Sequence, residues 1–219
     1  MPSKISILTP KQKLFLKEFE NNHDLCSLFY LTGGTALAEF YLQHRLSEDL
    51  DFFSEKDFER EEVYTFTNNL KSIMQAQSVT AIKKNGRDIF EYKLGNNEIL
   101  KVEFVHYPYK NLKPLRKFDM LAVNDVFDIT VNKIFSVFSR NETKDFADLF
   151  FLLKKYSLDK LLIGVEEKFG IKIGKFTLGN ELYKARNITL MPKMIKKLTK
   201  EQLSDFFREK SRQLGGILF

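Results

Sequence analysis

Two turn signals, Asn85-Gly86 and Gly95-Asn96-Asn97, constrain this chain most. They separate the runs 79–84, 87–94 and 98–106. Asn and Gly tolerate the positive φ that tight hairpins need. Three consecutive antiparallel strands are therefore expected. Further along, the pattern changes period. From about residue 124 the apolar spacing is helical, over 124–139, 143–156 and 158–169, with one or two more helices between 193 and 213. Ahead of the hairpins the elements alternate. Thr9-Pro10-Lys11-Gln12 reads as a capping box with Pro at the first helical position. Leu14, Phe15 and Phe19 continue it as a helix over 10–21. Strands are expected near 28–32 and 48–53, with helices over 35–43 and 58–77. The sum is an α+β chain: a mixed-sheet core with flanking helices over 1–118, then a helical bundle over 119–219.

The chain has 219 residues, 43% hydrophobic and 29% charged, which is ordinary for a globular protein. No apolar run approaches the roughly 18–20 residues of a membrane span. The first residues, MPSKISILTPKQK, lack a signal-peptide core. Cys26 is the sole cysteine, so no intrachain disulfide forms. A cytoplasmic location without membrane contact is expected.

The chemistry concentrates between Leu31 and Phe53, LTGGTALAEFYLQHRLSEDLDFF. An apolar strand runs into Gly33-Gly34-Thr35, a turn whose backbone N–H groups at a helix start suit phosphate. Asp49 and Asp51 follow two residues apart on a strand, which puts both carboxylates on one face. Paired carboxylates repel unless a cation neutralises them. Oxygen-only ligands favour Mg²⁺ or Mn²⁺. If the strand begins early, Arg45 and Ser47 share that face as phosphate or nucleotide contacts; the plainer alternative is an Arg45–Asp49 ion pair. Glu103, on the polar face of the strand 98–106, is a candidate third metal ligand or a base toward an attacking hydroxyl, or else a salt-bridge partner of Lys101 or of an adjacent strand. A phosphate-holding turn beside a metal pair is the layout of a nucleotidyl-transfer site.

In the helical half, Lys133 and Arg140 lie two turns apart, and Asp145 and Asp148 share a face of the next helix. These four would either close over a nucleotide or form a surface salt-bridge network. Between Lys184 and Arg212 stand nine Lys or Arg against three acids, an excess of six that equals the net charge of the whole chain. Such a localised basic stretch is either a solvated helix face or the footprint of a polyanion.

GGTALAEFYLQHRLSEDLDFF resembles the first two motifs of the AbiEii/AbiGii toxin family of nucleotidyltransferases. NKIFSVFSRNETKDFADLFFLL resembles that family's later Lys…Arg…Asp block. The family lies within the DNA polymerase β-like superfamily. The resemblance implies a nucleotidyltransferase-fold mixed sheet, Mg²⁺ (or Mn²⁺) and an NTP donor. It implies a toxin of the abortive-infection, type IV toxin–antitoxin kind, with a partner antitoxin. MenT-like relatives modify tRNA 3′ ends, which suggests RNA as acceptor, met by the segment 184–212. By position, Gly33, Gly34 and Thr35 would hold the triphosphate, Asp49 and Asp51 the metal, and Lys133 the donor phosphates. Asp145 and Asp148 would supply the later acidic residues. Glu103 stands where the superfamily usually has Asp. The competing readings are a nucleotidyltransferase with a small, antibiotic-type acceptor, and a catalytically inactive member that binds nucleotide, RNA or antitoxin.

Overall fold

The computed structural model describes residues 6–140 and 142–215. They form two compact units. The first comprises residues up to 41, 47–110 and 114–125; the second comprises 42–46, 111–113 and the chain from 126 onward. The expected cut after residue 118 divides the chain differently, because 119–125 belong to the first unit and two short earlier stretches belong to the second.

The first unit opens with α1 (Pro10–Glu20) and α2 (His23–Leu28), followed by β1 (Tyr30–Thr32). A short helical turn, α3 (Gly33–Ala36), runs into one π-helical turn, Leu37–Leu42. Then come β2 (Leu50–Ser54), α4 (Arg60–Ile73), β3 (Ser78–Lys84), β4 (Arg87–Lys93), β5 (Ile99–His106), β6 (Arg116–Phe118) and β7 (Leu121–Val123). The strands form one seven-stranded mixed sheet in the order β3-β4-β5-β2-β1-β7-β6. The expected hairpins form: β3 pairs antiparallel with β4, and β4 with β5, with Asn85 and Gly86 both at positive φ in the first turn.

The capping box is complete, the Thr9 hydroxyl accepting from Gln12 N and the Gln12 amide accepting from Thr9 N. Phe15 and Phe19, one turn apart on α1, then face the sheet. Phe19 lies 4.3 Å from Phe52, and Phe52 stacks on Phe104 at 5.1 Å. Phe66 of α4 meets Phe15 edge-on, and buried Tyr92 donates its hydroxyl to the Thr67 carbonyl at 2.7 Å. These rings make one face of the sheet an aromatic core, which is where much of the phenylalanine goes. The opposite parity of β2 and β5, Asp51 with Lys101 and Glu103, is left for polar work.

The second unit contains α5 (Val126–Ser136), α6 (Thr143–Leu152), α7 (Leu158–Phe169), α8 (Lys175–Tyr183) and α9 (Lys200–Gln213). Phe146, Leu149, Leu161, Val165, Leu182 and Phe207 are core. Gly164 lets α7 approach α5, since a Cβ there would sit 2.8 Å from Val131. Inside it, Lys168 pairs with Asp128 at 2.8 Å, and Asp128 also accepts from Leu112 N and Lys113 N. That carboxylate draws 111–113 into this unit. Residues 42–46 join it by backbone bonds, Ile195 N to His44 O and Leu46 N to Lys193 O.

Two expectations need correction, and two elements were not foreseen. Residue 28 ends α2, whose N-cap Asn22 accepts from Leu25 N, so β1 begins only at Tyr30. β2 begins at Leu50 rather than 48. The hairpin β6–β7 is too short for alternation to show. α8, with Gly174 before it and Gly179 inside, lacks a clear apolar stripe.

Candidate active site

Gly33 has φ +71°, a conformation that costs a side chain dearly. It is also the point where another side chain arrives: a Cβ built on Gly33 would lie 2.1 Å from Asp51 Oδ2. The turn and the carboxylate are therefore packed directly together. The register explains why, since Thr32 on β1 pairs with Asp51 on β2. On the other side Asp51 pairs in register with Glu103 of β5. Gly33→Ala is expected to lower stability by about 1–3 kcal/mol through backbone strain and displacement of Asp51. A urea titration within about 0.5 kcal/mol of wild type, inside the usual range of neutral substitutions, would contradict that packing.

Lys101 sits among these carboxylates. Its Nζ is 2.8 Å from Glu103 Oε1 and 3.5 Å from Asp49 Oδ2. Burial alone would lower the Lys101 pKa, but Glu103, Asp49 and Asp51 together raise it. Glu103 is opposed by its own burial and yet is held below its ordinary value by Lys101 and by Arg87, whose guanidinium is 2.7 Å from Oε2. Glu103 is therefore in the salt bridge with Lys101, reinforced by Arg87. Thr35 is wholly buried and donates its hydroxyl to the Asp49 carbonyl. It ties the turn to the residue just before β2.

Among the described residues no group of three His, Cys, Asp or Glu side chains is placed to hold a metal. A carboxylate pair is nonetheless the usual protein share of a Mg²⁺ site, the rest being water and substrate phosphate. The Lys101 ammonium, drawn in by Asp49, Asp51 and Glu103, shows that this pocket of the sheet favours positive charge. Asp49 and Asp51 fit a hard divalent cation on that ground.

Arg45 and Ser47 do not share the Asp49–Asp51 face. The strand starts too late, and Arg45 belongs to the second unit, where it forms an isolated bridge with Met194. Its guanidinium forks onto Asp148, Nε to Oδ1 at 2.6 Å and the terminal nitrogen to Oδ2 at 2.9 Å. Ser47 remains in the first unit, and its carbonyl accepts from Gln12 Nε2. Asp148 also accepts from His44 Nε2 at 2.7 Å and from Lys133 at 2.7 Å. Lys133 bridges on to Asp145 at 2.5 Å, and Arg140 completes the chain at 2.8 Å. Sequence spacing suggested a surface network or a clamp; the network is buried within its unit. Burial alone would raise both aspartates, but Lys133 leads their partners in holding each below the ordinary range. Lys133 is raised by the same contacts against its own burial. Arg140 is the exposed end, 41% accessible.

His44, the residue before Arg45, is a full member of this network. Burial keeps its imidazole below the ordinary value of 6.5, against the opposing pull of Asp148. An unfolded chain protonates His44 first, so stability is present above 6.5 and falls as the pH drops below it; the two aspartates add a second loss below 3.8. The urea midpoint should therefore fall from pH 8 to pH 5, and His44→Gln should flatten that slope. An equal slope in both proteins would exclude His44 as its source.

The basic segment lies in the second unit, from the turn Lys184–Asn187 to α9. Arg208 pairs with Asp205 and Lys184 with Glu181, both at 2.6 Å. Lys196, Lys197 and Lys200 are exposed. No described helix is long and apolar enough to cross a membrane.

The model of the nucleotidyl transferase AbiEii toxin family, of type IV toxin–antitoxin systems, matches residues 14–214. An uncharacterised protein of Aquifex aeolicus is 31% identical over 139 residues, and the chain spans 62% of that relative's length. JHP933 from Helicobacter pylori shares the fold with a TM-score of 0.59 at 18% identity, over 93% of this chain and 88% of that one. MenT4, a nucleotidyltransferase toxin from Mycobacterium tuberculosis, does so at 0.60 and 12% identity, over 94% and 84%.

Proposed function

Because the chain belongs to the AbiEii nucleotidyl transferase toxin family, we propose that it transfers an NMP from an NTP to an RNA hydroxyl, at a tRNA 3′ end, as the toxin of a type IV system with its own antitoxin. The observation that carries this reading is the seating of Asp51 against Gly33, with Asp49 alongside and Lys101 drawn in by both. The site unites a phosphate-holding turn with a metal-binding carboxylate pair.

Asp49 and Asp51 would hold Mg²⁺ or Mn²⁺. When bound, the ion neutralises charge developing on the phosphates. Gly33 and Gly34 would present backbone N–H groups to the triphosphate, and the absent side chain at Gly33 is what lets Asp51 seat against the turn. Thr35 acts through the Asp49 backbone. The acceptor oxygen bonds to the α-phosphorus as the bond from that phosphorus to the α–β bridging oxygen breaks; the hydroxyl proton passes to water and pyrophosphate leaves. Protein groups contribute position and charge rather than covalent chemistry. Glu103, with Arg87 and Lys101, sets the charge beside the pair. Lys133, Asp145, Asp148 and Arg45 are taken up by one another, so we assign them the integrity of the helical unit. Arg140 is the member of that network that a phosphate can reach from solvent.

The test is incubation with total RNA and each α-labelled NTP in Mg²⁺. Label in a tRNA-sized band supports the reading, the productive NTP names the base, and no labelled RNA with any NTP overturns it. Salt separates the acceptors. An RNA bound through several of the exposed lysines should lose roughly tenfold or more in apparent affinity between 50 and 200 mM salt. A salt-indifferent KM for the acceptor would point to a small molecule instead.

A further inference from the structure

Residues 47–49 lead the chain to the metal strand, yet they lie before β2, outside the ladder that aligns Leu50–Ser54 with β1 and β5. Their three successive carbonyls are nevertheless all held, by two buried side chains. Gln12 Nε2 donates to Ser47 O at 2.9 Å and to Glu48 O at 3.2 Å. Thr35 Oγ1 donates to Asp49 O. Gln12 is 1% exposed and Thr35 fully buried. The other end of the Gln12 amide accepts from Thr9 N, as the N3 member of the α1 capping box.

We infer that Gln12 is a positioning residue for the carboxylate pair: it fixes the backbone from which Asp49 projects, through the carbonyls of Ser47 and Glu48. The inference rests on the assignment of Asp49 and Asp51 to the metal. A segment with no ladder bonds moves unless its polar groups are bound, and a carboxylate must be held to a fraction of an ångström to serve a small, demanding cation. Gln at N3 is ordinary capping chemistry. A glutamine whose amide nitrogen also reaches two carbonyls 35 and 36 residues away is doing more than capping.

Two variants separate the roles. Thr9→Val removes the capping hydroxyl and leaves the Gln12 amide; Gln12→Met removes cap and clamp together while keeping the side-chain length. Both are measured for amide hydrogen exchange across 47–51 in metal-free protein, for Mn²⁺ binding by electron paramagnetic resonance, and for the Mg²⁺ concentration giving half-maximal transfer. Gln12→Met should speed exchange across 47–51 and weaken Mn²⁺ binding by about 10–100-fold, the range for residues that orient a metal ligand, while Thr9→Val stays within about twofold of wild type. Thr35→Val, which removes the third carbonyl's donor, should behave like Gln12→Met and serves if Gln12→Met does not fold. Equal behaviour of Gln12→Met and Thr9→Val, or wild-type Mn²⁺ binding in Thr35→Val, overturns the inference. A wild-type protein that binds no Mn²⁺ and transfers no nucleotide overturns the metal assignment instead. In that case the exchange data alone decide the clamp: faster exchange in Gln12→Met than in Thr9→Val upholds it, and equal exchange removes it.

Discussion

Asp51→Asn is expected to reduce NMP transfer by at least about 10²–10³-fold, the scale for removing one group that stabilises charge in a transition state. The substitution keeps the shape that fits against Gly33 and removes only the negative charge. Asp49→Asn should act in the same direction, and both should abolish any growth inhibition that the wild-type protein causes. Stability should barely follow. Asp51 stands in register with Glu103 and two residues from Asp49, so the three acids repel one another and depend on Lys101 and Arg87. Removing one charge relieves that repulsion while weakening the hold on Lys101, and the two effects oppose. A change within about 1 kcal/mol on urea unfolding is expected. Large loss of activity without loss of stability is the mark of a group kept for function. If both variants retain activity within about tenfold of wild type, the carboxylate pair is not the catalytic centre.

Local chemistry was legible in the sequence; long-range placement was not. Thr9 and Gln12 announced a capping box, and both of its bonds are present. Asn85-Gly86 announced a hairpin, and β3–β4 turns there. Each needs only residues a few positions apart. Asp49 and Asp51 were singled out as candidates by their spacing, and Glu103 by strand parity. Arg45 was misplaced by the same parity argument, because parity assumes a continuous strand and this one starts at Leu50. The true partner of Arg45 is Asp148, 103 residues away. The partner of His44, Asp148, is 104 residues away and was hidden in the same way. A lone histidine gives no signal until the fold brings a carboxylate to it. Gln12 was visible as a cap, but its bonds to Ser47 and Glu48 depend on how α1 lies on the sheet. The 22 phenylalanines carried no functional message, and the stack of Phe15, Phe19, Phe52 and Phe104 shows a structural use for them.

Asp148→Ala should be the most destabilising single change in the helical unit. The carboxylate is fully buried and binds three partners that are themselves buried: His44 at 0%, Arg45 at 2% and Lys133 at 5% exposure. Removing it leaves Arg45 with no fork to fill and Lys133 with Asp145 alone. Breaking a buried ion pair from one side costs about 3–5 kcal/mol, mostly as the penalty of the stranded charge. Total stabilities of about 5–15 kcal/mol make that a large share. Lys133→Met should cost a similar amount, since it leaves Asp145 to Arg140 and Asp148 to Arg45 and His44. The two losses should not add. In the double variant the stranded partners are fewer, so its loss should fall short of the sum by 1 kcal/mol or more, within the range measured for contacting pairs, roughly 0.5–3 kcal/mol. Urea unfolding of the four proteins closes this cycle. Strict additivity, or a loss below about 1 kcal/mol for Asp148→Ala, within the range of ordinary substitutions, would mean that water reaches the network and supports it. The same cycle protects the functional reading from a false conclusion. Loss of activity in Asp148→Ala is expected from unfolding alone, whereas Asp51→Asn must lose activity while still folded.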